Sequence, residues 1–278
     1  MKRKPVLLAI FAHPDDEAFS SGGTLTHYAS RGVDVHLLCS TRGEAGKVTD
    51  PSLGEIADLA AQRESELRDA CAIMGIHPPV FMGYRDSGRL ERLRSDDPLA
   101  SINIAPLEIE QAVRTEIARL QPDVLLSFDP HGGYGHPDHL VIHRAALEAF
   151  YSSGHLAHPP KRLFFTAFTT EMAQQIFGGN ASPTPGLDAE IYGVSPQTIA
   201  VRMQIGAYRE AKLAAIAAHR TQTGANSRMN QLPPEQREAM LARMVDTETF
   251  ALGATRASPI ARWPLSGFFD GLGFDGLE

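Results

Sequence analysis

Apolar residues along the chain fall into short unbroken runs separated by longer periodic stretches. The runs cover residues 5–11, 33–40, 80–82, 123–128 and 162–168 and are rich in Val, Leu, Ile and Phe. Runs without polar alternation are those of parallel strands buried on both faces. Between them the period is helical. Residues 23–30 end at Gly32. Residues 55–74 form a long amphipathic stretch closed by Gly75 and His77-Pro78-Pro79, a stop signal. Residues 106–120 end before Gln121-Pro122. Residues 136–151 start with Pro137, which a first helical turn accepts because the N–H it lacks has no partner there. The alternation predicts an α/β fold: a Rossmann-like, mainly parallel sheet with helices on both faces. Residues 178–193, rich in Gly, Pro, Ser and Asn, read as a loop. Residues 195–219 read as a long helix, and 251–278, with little periodicity, as a segment wrapping the body. The expected organisation is a single domain over 1–278, with a core at about 5–177 and a C-terminal, substrate-side portion at about 190–278 packed on it.

Ligands of such sheets bind beyond the C-terminal ends of the strands. The first strand is followed by Ala12-His13-Pro14-Asp15-Asp16-Glu17, the second by Thr41-Arg42-Gly43-Glu44, and the third by Gly83-Tyr84-Arg85-Asp86-Ser87-Gly88. The fourth leads into Asp129-Pro130-His131-Gly132-Gly133-Tyr134-Gly135-His136-Pro137-Asp138-His139. Polar clusters from four strands converge on one rim, and that convergence is the main sign of a site. A dinucleotide site would need a G-x-G-x-x-G turn after the first strand. Asp15, Asp16 and Glu17 stand there instead and would repel a phosphate.

Composition removes other classes. A formal charge of −7 with no dense basic cluster beyond Lys2-Arg3-Lys4 argues against a general nucleic-acid binder, which needs basic surface to displace counterions. Cys39 and Cys71 build no disulfide framework and read as two reduced, buried thiols of a cytoplasmic protein. The apolar run after Lys4 passes straight into His13-Pro14-Asp15 without a small-residue cleavage site, so it reads as a strand and not as a signal peptide. No stretch is long enough to span a membrane.

Histidines beside carboxylates suit a divalent cation. His13 and Asp16 are three apart at a strand end, and His136 and His139 are three apart on a helix's first turn, where i and i+3 share a face. His13, Asp16 and one of His136 or His139 would make a catalytic Zn²⁺ or Fe²⁺ site with open positions. The remaining histidine would lie close by without binding. Such a metal polarises a carbonyl and acidifies a bound water. Asp15, adjoining Asp16 but pointing elsewhere, is then the candidate general base. Tyr134 and the non-ligand histidine are candidates for the oxyanion, and that histidine also for protonating the leaving amine. Asp138 and Asp129 are candidate partners that orient the histidines. Helix capping is the plain alternative for each motif alone.

His13-Pro14-Asp15-Asp16-Glu17, Gly22-Gly23-Thr24 and His136-Pro137-Asp138-His139 resemble the PIG-L/LmbE-like deacetylase family. Gln62-Arg63-Glu64 through Leu67, and Lys212 through His219 with Gln222, add to the likeness, which spans about residues 5–225. The resemblance implies a zinc-dependent de-N-acetylase on a Rossmann-like fold. By it, His13, Asp16 and His139 would be the zinc ligands, Asp15 the base, His136 the unliganded histidine and Tyr134 an aid at the oxyanion. Residues 84–88 and 129–139 look most like the branch acting in low-molecular-weight thiol biosynthesis. That implies an N-acetylglucosaminyl inositol or malate substrate, with Arg63 and Asp86 binding sugar hydroxyls or an acidic aglycone. His219 reads equally as a satisfied core residue or as one that serves the substrate or supports the centre. His27, His36, His77, His143, His155 and His158 show no ligand spacing and read as structural.

Two other readings compete. An amidase of glucosamine-containing thiol conjugates would use the same centre with different pocket walls, expected at 85–99 and 178–192. A non-catalytic metal-binding protein would lack the base or a ligand, and none is missing here.

Overall fold

Val6–Phe11 (β1) is buried along its whole length. The computed structural model describes residues 3–178, 186–274 and 276–277. β1 is followed by α1 (Asp16–Ser30), β2 (Asp34–Thr41), α2 (Leu59–Met74), β3 (Val80–Tyr84), α3 (Pro106–Leu120) and β4 (Val124–Phe128). A glycine-rich turn, α4 (Gly132–Gly135), leads into α5 (Pro137–Ser152) and β5 (Arg162–Thr166). Then come β6 (Phe168–Thr169), α6 (Thr170–Phe177), β7 (Gly193–Val194), β8 (Ile199–Gln204), α7 (Arg209–Ala218), α8 (Arg220–Thr223), α9 (Pro234–Met244) and β9 (Thr247–Thr255).

The main sheet has seven strands in the order β3-β2-β1-β4-β5-β9-β8. The first five are parallel, β9 runs antiparallel to β5, and β8 antiparallel to β9. Right-handed crossovers leave β1 toward one edge and return to β4 from the other, which puts the two sets of helices on opposite faces. α1, α2 and α7 pack together, and α3 packs on α5. The chain reverses direction between the adjacent strands β1 and β4, and the crevice beyond their C-terminal ends is the switch point where such sheets bind ligands.

Local chemistry sets the ends. α2 starts at Leu59 rather than in the expected region from 55, because the Asp58 carboxylate accepts the Ala61 N–H at 2.9 Å. α1 starts at Asp16, seven residues before the apolar period becomes visible at 23.

Residues 195–219 are not one helix. Along β8, Val201 and Met203 are buried while Arg202 and Gln204 face out, the period-two pattern of a strand, and pairing with β9 overrides the helix-forming composition. Only Arg209–Ala218 of that stretch is the helix α7. The tail from 251 likewise opens inside β9, and it does more than wrap the body. Phe268 stacks on Phe164 at 4.4 Å and meets Phe250 edge-on at 4.8 Å. Of the loop expected at 178–193, residues 179–185 lie outside the described residues. Cys39 and Cys71 are buried thiols. No described helix is long and apolar enough to cross a membrane.

Candidate metal centre and active site

Asp15 precedes α1 with a backbone φ of 119°, a left-handed value that is strained for a residue with a side chain. Glu17 supports it: its Oε2 accepts the Asp15 N–H at 3.0 Å. Glu17 is fully buried, and its other oxygen lies 2.7 Å from His219 Nε2. The kink sends neighbouring carboxylates different ways. Asp15 Oδ2 lies 3.2 Å from Arg63, while Asp16 turns toward His13 and His139.

His13 Nε2 lies 3.0 Å from Asp138 Oδ2 and 3.5 Å from Asp86 Oδ1. Carboxylates only accept, so that nitrogen carries the proton. His139 Nδ1 lies 3.0 Å from the Gly132 carbonyl and by the same logic donates to it. The nitrogens left over, His13 Nδ1 and His139 Nε2, face each other at 3.2 Å. Asp16 adds Oδ1 at 3.3 Å from His139 Nε2 and Oδ2 at 3.6 Å from His13 Nδ1. Two ring nitrogens with one carboxylate oxygen turned to each must share a proton or a cation. Tetrahedral bonds of about 2.0–2.1 Å set neighbouring ligand atoms roughly 3.3 Å apart, close to the 3.2 Å between the two nitrogens and the 3.3 Å from Asp16 Oδ1 to His139 Nε2. The residues therefore fit a divalent metal. The charge pattern agrees. Burial would lower the His13 pKa, but the charge of Asp86 and the hydrogen bonds of Asp138 and Asp16 outweigh it and raise it well above its ordinary value. Burial would raise Asp16, yet His139 and His13 hold it well below the usual carboxylate range.

Two other sets lie within 4.8 Å of one another, the ring nitrogens of His13, His136 and His139, and His13 with the carboxylates of Asp86 and Asp138; the second uses the protonated His13 Nε2, which leaves the three histidines as the rival. The hydrogen bonds discriminate. His136 caps α5, and its Nδ1 accepts the Asp138 N–H at 3.3 Å. A neutral imidazole accepting at Nδ1 has its proton on Nε2 and no lone pair there to give. Burial, then the facing His13 and His139, keep His136 neutral, its pKa pushed down to about 2.

Burial pushes the Asp15 carboxyl up to about 6, with Asp16 adding to the rise and Arg63, His219 and His13 opposing it. A carboxylate poised near neutrality is the result. The turn 132–135 supplies Tyr134. Gly132 sits at φ 59°, and a Cβ there would come 2.8 Å from the His139 Cβ, so glycine is required for the turn to pass His139. The Tyr134 ring meets His139 edge-on at 5.0 Å. Burial raises its hydroxyl's pKa, so the hydroxyl stays a donor. The Arg89 guanidinium lies 5.2 Å over that ring, which brings the loop after β3 over the centre.

Other expected residues have protein partners. Arg63 is 3% exposed and donates to the Gly43 carbonyl at 2.7 Å and to the Pro14 carbonyl, besides facing Asp15. Asp86, beyond His13, accepts the Ala45 N–H at 3.1 Å and the Gly88 N–H at 2.8 Å. Asp138 also accepts the Ser87 N–H at 2.9 Å. Asp129 does not reach the site histidines; it holds His131 at 3.1 Å and the Gly133 N–H at 2.7 Å.

Sequence reasoning missed two buried pairs. Glu17–His219 was visible only as a glutamate in a helix start and a late histidine. Lys212 meets Glu248 at 2.5 Å, and Glu248 accepts the N–H groups of Gly23 and Thr24 at 3.0 and 2.8 Å. Nothing in the sequence around Glu248 signals this. It does explain Gly22-Gly23-Thr24: α1 opens backbone donors to a carboxylate, and a Cβ on Gly23 would strike Ile205.

Comparison with known proteins follows the same line. A PIG-L family profile, GlcNAc-PI de-N-acetylase, matches residues 8–150. The 1D-myo-inositol 2-acetamido-2-deoxy-alpha-D-glucopyranoside deacetylase of Salinispora arenicola is 33% identical over 238 residues, 80% of this chain and 77% of its own length. The solved N,N'-diacetylchitobiose deacetylase of Pyrococcus horikoshii has a TM-score of 0.57 at 22% identity, covering 90% of this chain and 84% of that one. The 4-carboxy-2-hydroxymuconate hydratase of Pseudomonas putida KT2440 has a TM-score of 0.56 at 18% identity, covering 92% and 98%. These structural likenesses speak for the fold alone, and the hydratase shows that the fold is not tied to one reaction.

Proposed function

The chain belongs to the PIG-L family of GlcNAc-PI de-N-acetylases, and on that premise we propose that it hydrolyses the N-acetyl group of an N-acetylglucosamine-containing small molecule, of the N-acetylglucosaminyl inositol or malate type. The observation that carries this reading is the triangle of His13, Asp16 and His139 with Asp15 turned aside from it.

We assign His13, Asp16 and His139 as ligands. The nitrogen and oxygen donors and the near-tetrahedral edges favour Zn²⁺, with Fe²⁺ a chemical alternative for the same set. When bound, such an ion supplies Lewis acidity to the amide carbonyl and acidifies a water. The remaining work falls to side chains. Asp15, with a pKa of about 6, is ionised at neutral pH and takes the proton of the attacking water. Once protonated, it is matched to hand that proton to the departing amine. The Arg63 guanidinium at 3.2 Å favours the ionised base. His136, neutral and protonated on Nε2, and the Tyr134 hydroxyl donate to the oxygen on which charge develops. For Arg63 and Asp86 we favour positioning over sugar contacts, because both are buried and turned to protein groups. Asp138 and Asp86 orient His13. The reading of 1–278 as one domain draws support from the main core, which joins β1 residues to Phe250, Phe268 and Phe269. Two buried, unpaired cysteines suit a reducing, cytoplasmic setting.

The test is free-acetate release by zinc-loaded protein from N-acetylglucosaminyl inositol and N-acetylglucosaminyl malate, with Asp15→Ala as control. Acetate from either, abolished in the control, is the expected result. No acetate from both, with metal bound stoichiometrically, would refute the substrate class.

A further inference from the structure

At the rim where β5 and β9 meet lies a cavity of about 330 Å³, with Phe19, Phe168, Met172, Ile176, Met240 and Met244 among its apolar walls. A second hollow of about 210 Å³ shares Phe19, Ile176 and Met240 with it. We propose that this cavity is a side pocket receiving an uncharged hydrocarbon substituent of the substrate; the inference rests on the deacetylase reading and extends it to substrate class.

Three observations carry it. The first is place. Phe19 is one turn from the base, its N–H donating to the Asp15 carbonyl at 3.2 Å. Tyr134, edge-on to His139, also packs against the cluster formed by Phe177 and Tyr192 together with Phe168 and Ile176. Thr166 of the cavity lining pairs in register with Phe128, whose ring stacks on His139 at 4.0 Å, so the cavity lies one strand over from the reacting centre, on the side toward which a substituent of the amide or its sugar can extend.

The second is the polar floor, which is already satisfied. Lys212 and Glu248 line the cavity but are 1% and 3% exposed and pair with each other at 2.5 Å. Glu248 further accepts the Thr24 hydroxyl at 2.5 Å and two backbone N–H groups, and Lys212 donates to the Phe19 carbonyl at 3.1 Å. The Thr249 hydroxyl donates to the Ala167 carbonyl at 2.5 Å. Arg243 is exposed at the edge. A charged or strongly hydrogen-bonding group reaching the Lys212–Glu248 floor would lose water and find those partners taken, a cost that selects against it there.

The third is the wall's chemistry. Three of the six wall residues named are methionines, whose unbranched thioethers repack around irregular apolar guests. A volume of this size lies within the range of small-molecule sites. The shape-tolerant wall suits a flexible alkyl or thioether chain better than a rigid ring system.

Such a chain has two sources, the acyl group on nitrogen or an apolar aglycone on the sugar. In the first case the same hydrolysis applies: water's oxygen bonds to the carbonyl carbon, the C–N bond breaks, and the proton passes to the amine nitrogen. The experiment compares kcat/KM for N-acetyl against N-hexanoyl glucosaminyl inositol, and for methyl against octyl glycosides of N-acetylglucosamine. Zinc-loaded wild type is run beside Met240→Trp, with Ile176→Trp on the facing helix as a second cavity-filling variant. We expect the wild type to prefer the longer chain by about tenfold or more in one pair, and that pair identifies the source. The preference should shrink to within about twofold in either variant that folds. No preference in both pairs, or a preference untouched by both variants, overturns the proposal. A second readout does not need turnover: in zinc-loaded Asp15→Asn with 13C-methyl methionine, the chain-bearing compound should shift the Met172, Met240 and Met244 methyl resonances. If no compound is hydrolysed, the deacetylase reading has failed, and these shifts alone decide for or against the pocket.

Discussion

Asp138→Asn tests how the metal centre is held. Asp138 is fully buried, its Oδ2 lies 3.0 Å from His13 Nε2, and its Oδ1 has no hydrogen-bond partner. An asparagine can keep its carbonyl toward His13 and Ser87 and place its amide where Oδ1 was, so the fold should survive while the charge behind His13 is lost. Removing a ligand's supporting carboxylate typically weakens metal binding by about 10–100-fold. Asp86 at 3.5 Å remains as a second acceptor, so the lower end, about tenfold, is expected for the single variant. Asp86→Asn alone should act in the same direction and less strongly, because its oxygens are shared with the Ala45 and Gly88 N–H groups. The double variant should approach about 100-fold. Chelator competition monitored by a zinc indicator measures this, with substrate KM taken in parallel at saturating metal. Unchanged metal affinity in the double variant would refute the reasoning. A raised KM with unchanged metal affinity in Asp86→Asn would return that residue to the sugar-binding role the family resemblance implies.

Other consequences follow from the same contacts. His219→Ala strips the partner from Glu17 and loosens the strained Asp15; kcat should fall by up to about 100-fold with metal content intact, and His219→Gln, which can still donate to Glu17, should recover part of it. Lys212→Met leaves the Glu248 charge buried and should cost about 3–5 kcal/mol in urea unfolding; a change under about 1 kcal/mol would mean the pair is not structural. Metal binding must displace the proton that the raised His13 pKa retains, so affinity should fall by about tenfold per pH unit below that pKa, whereas a flat affinity between pH 5 and 7, on the order of these values, would argue against His13 Nδ1 as ligand. Tyr134→Phe should lower turnover by about tenfold to 100-fold without loss of metal.

Much of this centre is readable from the chain because parallel sheets gather their strand ends. Once 5–11 and 123–128 are taken as buried strands, His13, Asp16, His136 and His139 must share a rim, whatever happens elsewhere. The choice between His136 and His139 is not readable from spacing, since it depends on which ring nitrogen the backbone occupies, Nδ1 accepting from Asp138 in one and donating to Gly132 in the other. The C-terminal part resists reading for a different reason. Ile199–Gln204 is composed of residues that suit helix or strand alike, and its state is decided by β9, some fifty residues later in the chain. Glu248 pairs across more than thirty residues with Lys212 and more than two hundred with Thr24, and no local pattern marks such a partner. The Asp15 kink, too, is a consequence of Glu17 folding back on the Asp15 N–H, which a helix-start motif alone does not announce.

On this assignment His13, Asp16 and His139 hold the metal, while His136 acts on the substrate without holding it. Metal content and acetate release measured together in His136→Ala and His139→Ala test it most directly. His136→Ala should retain stoichiometric zinc and lose about 100-fold or more in turnover, and His139→Ala should purify without metal and be inactive. Equal loss of metal in both variants, or loss in His136→Ala alone, would contradict it and favour the three-histidine site.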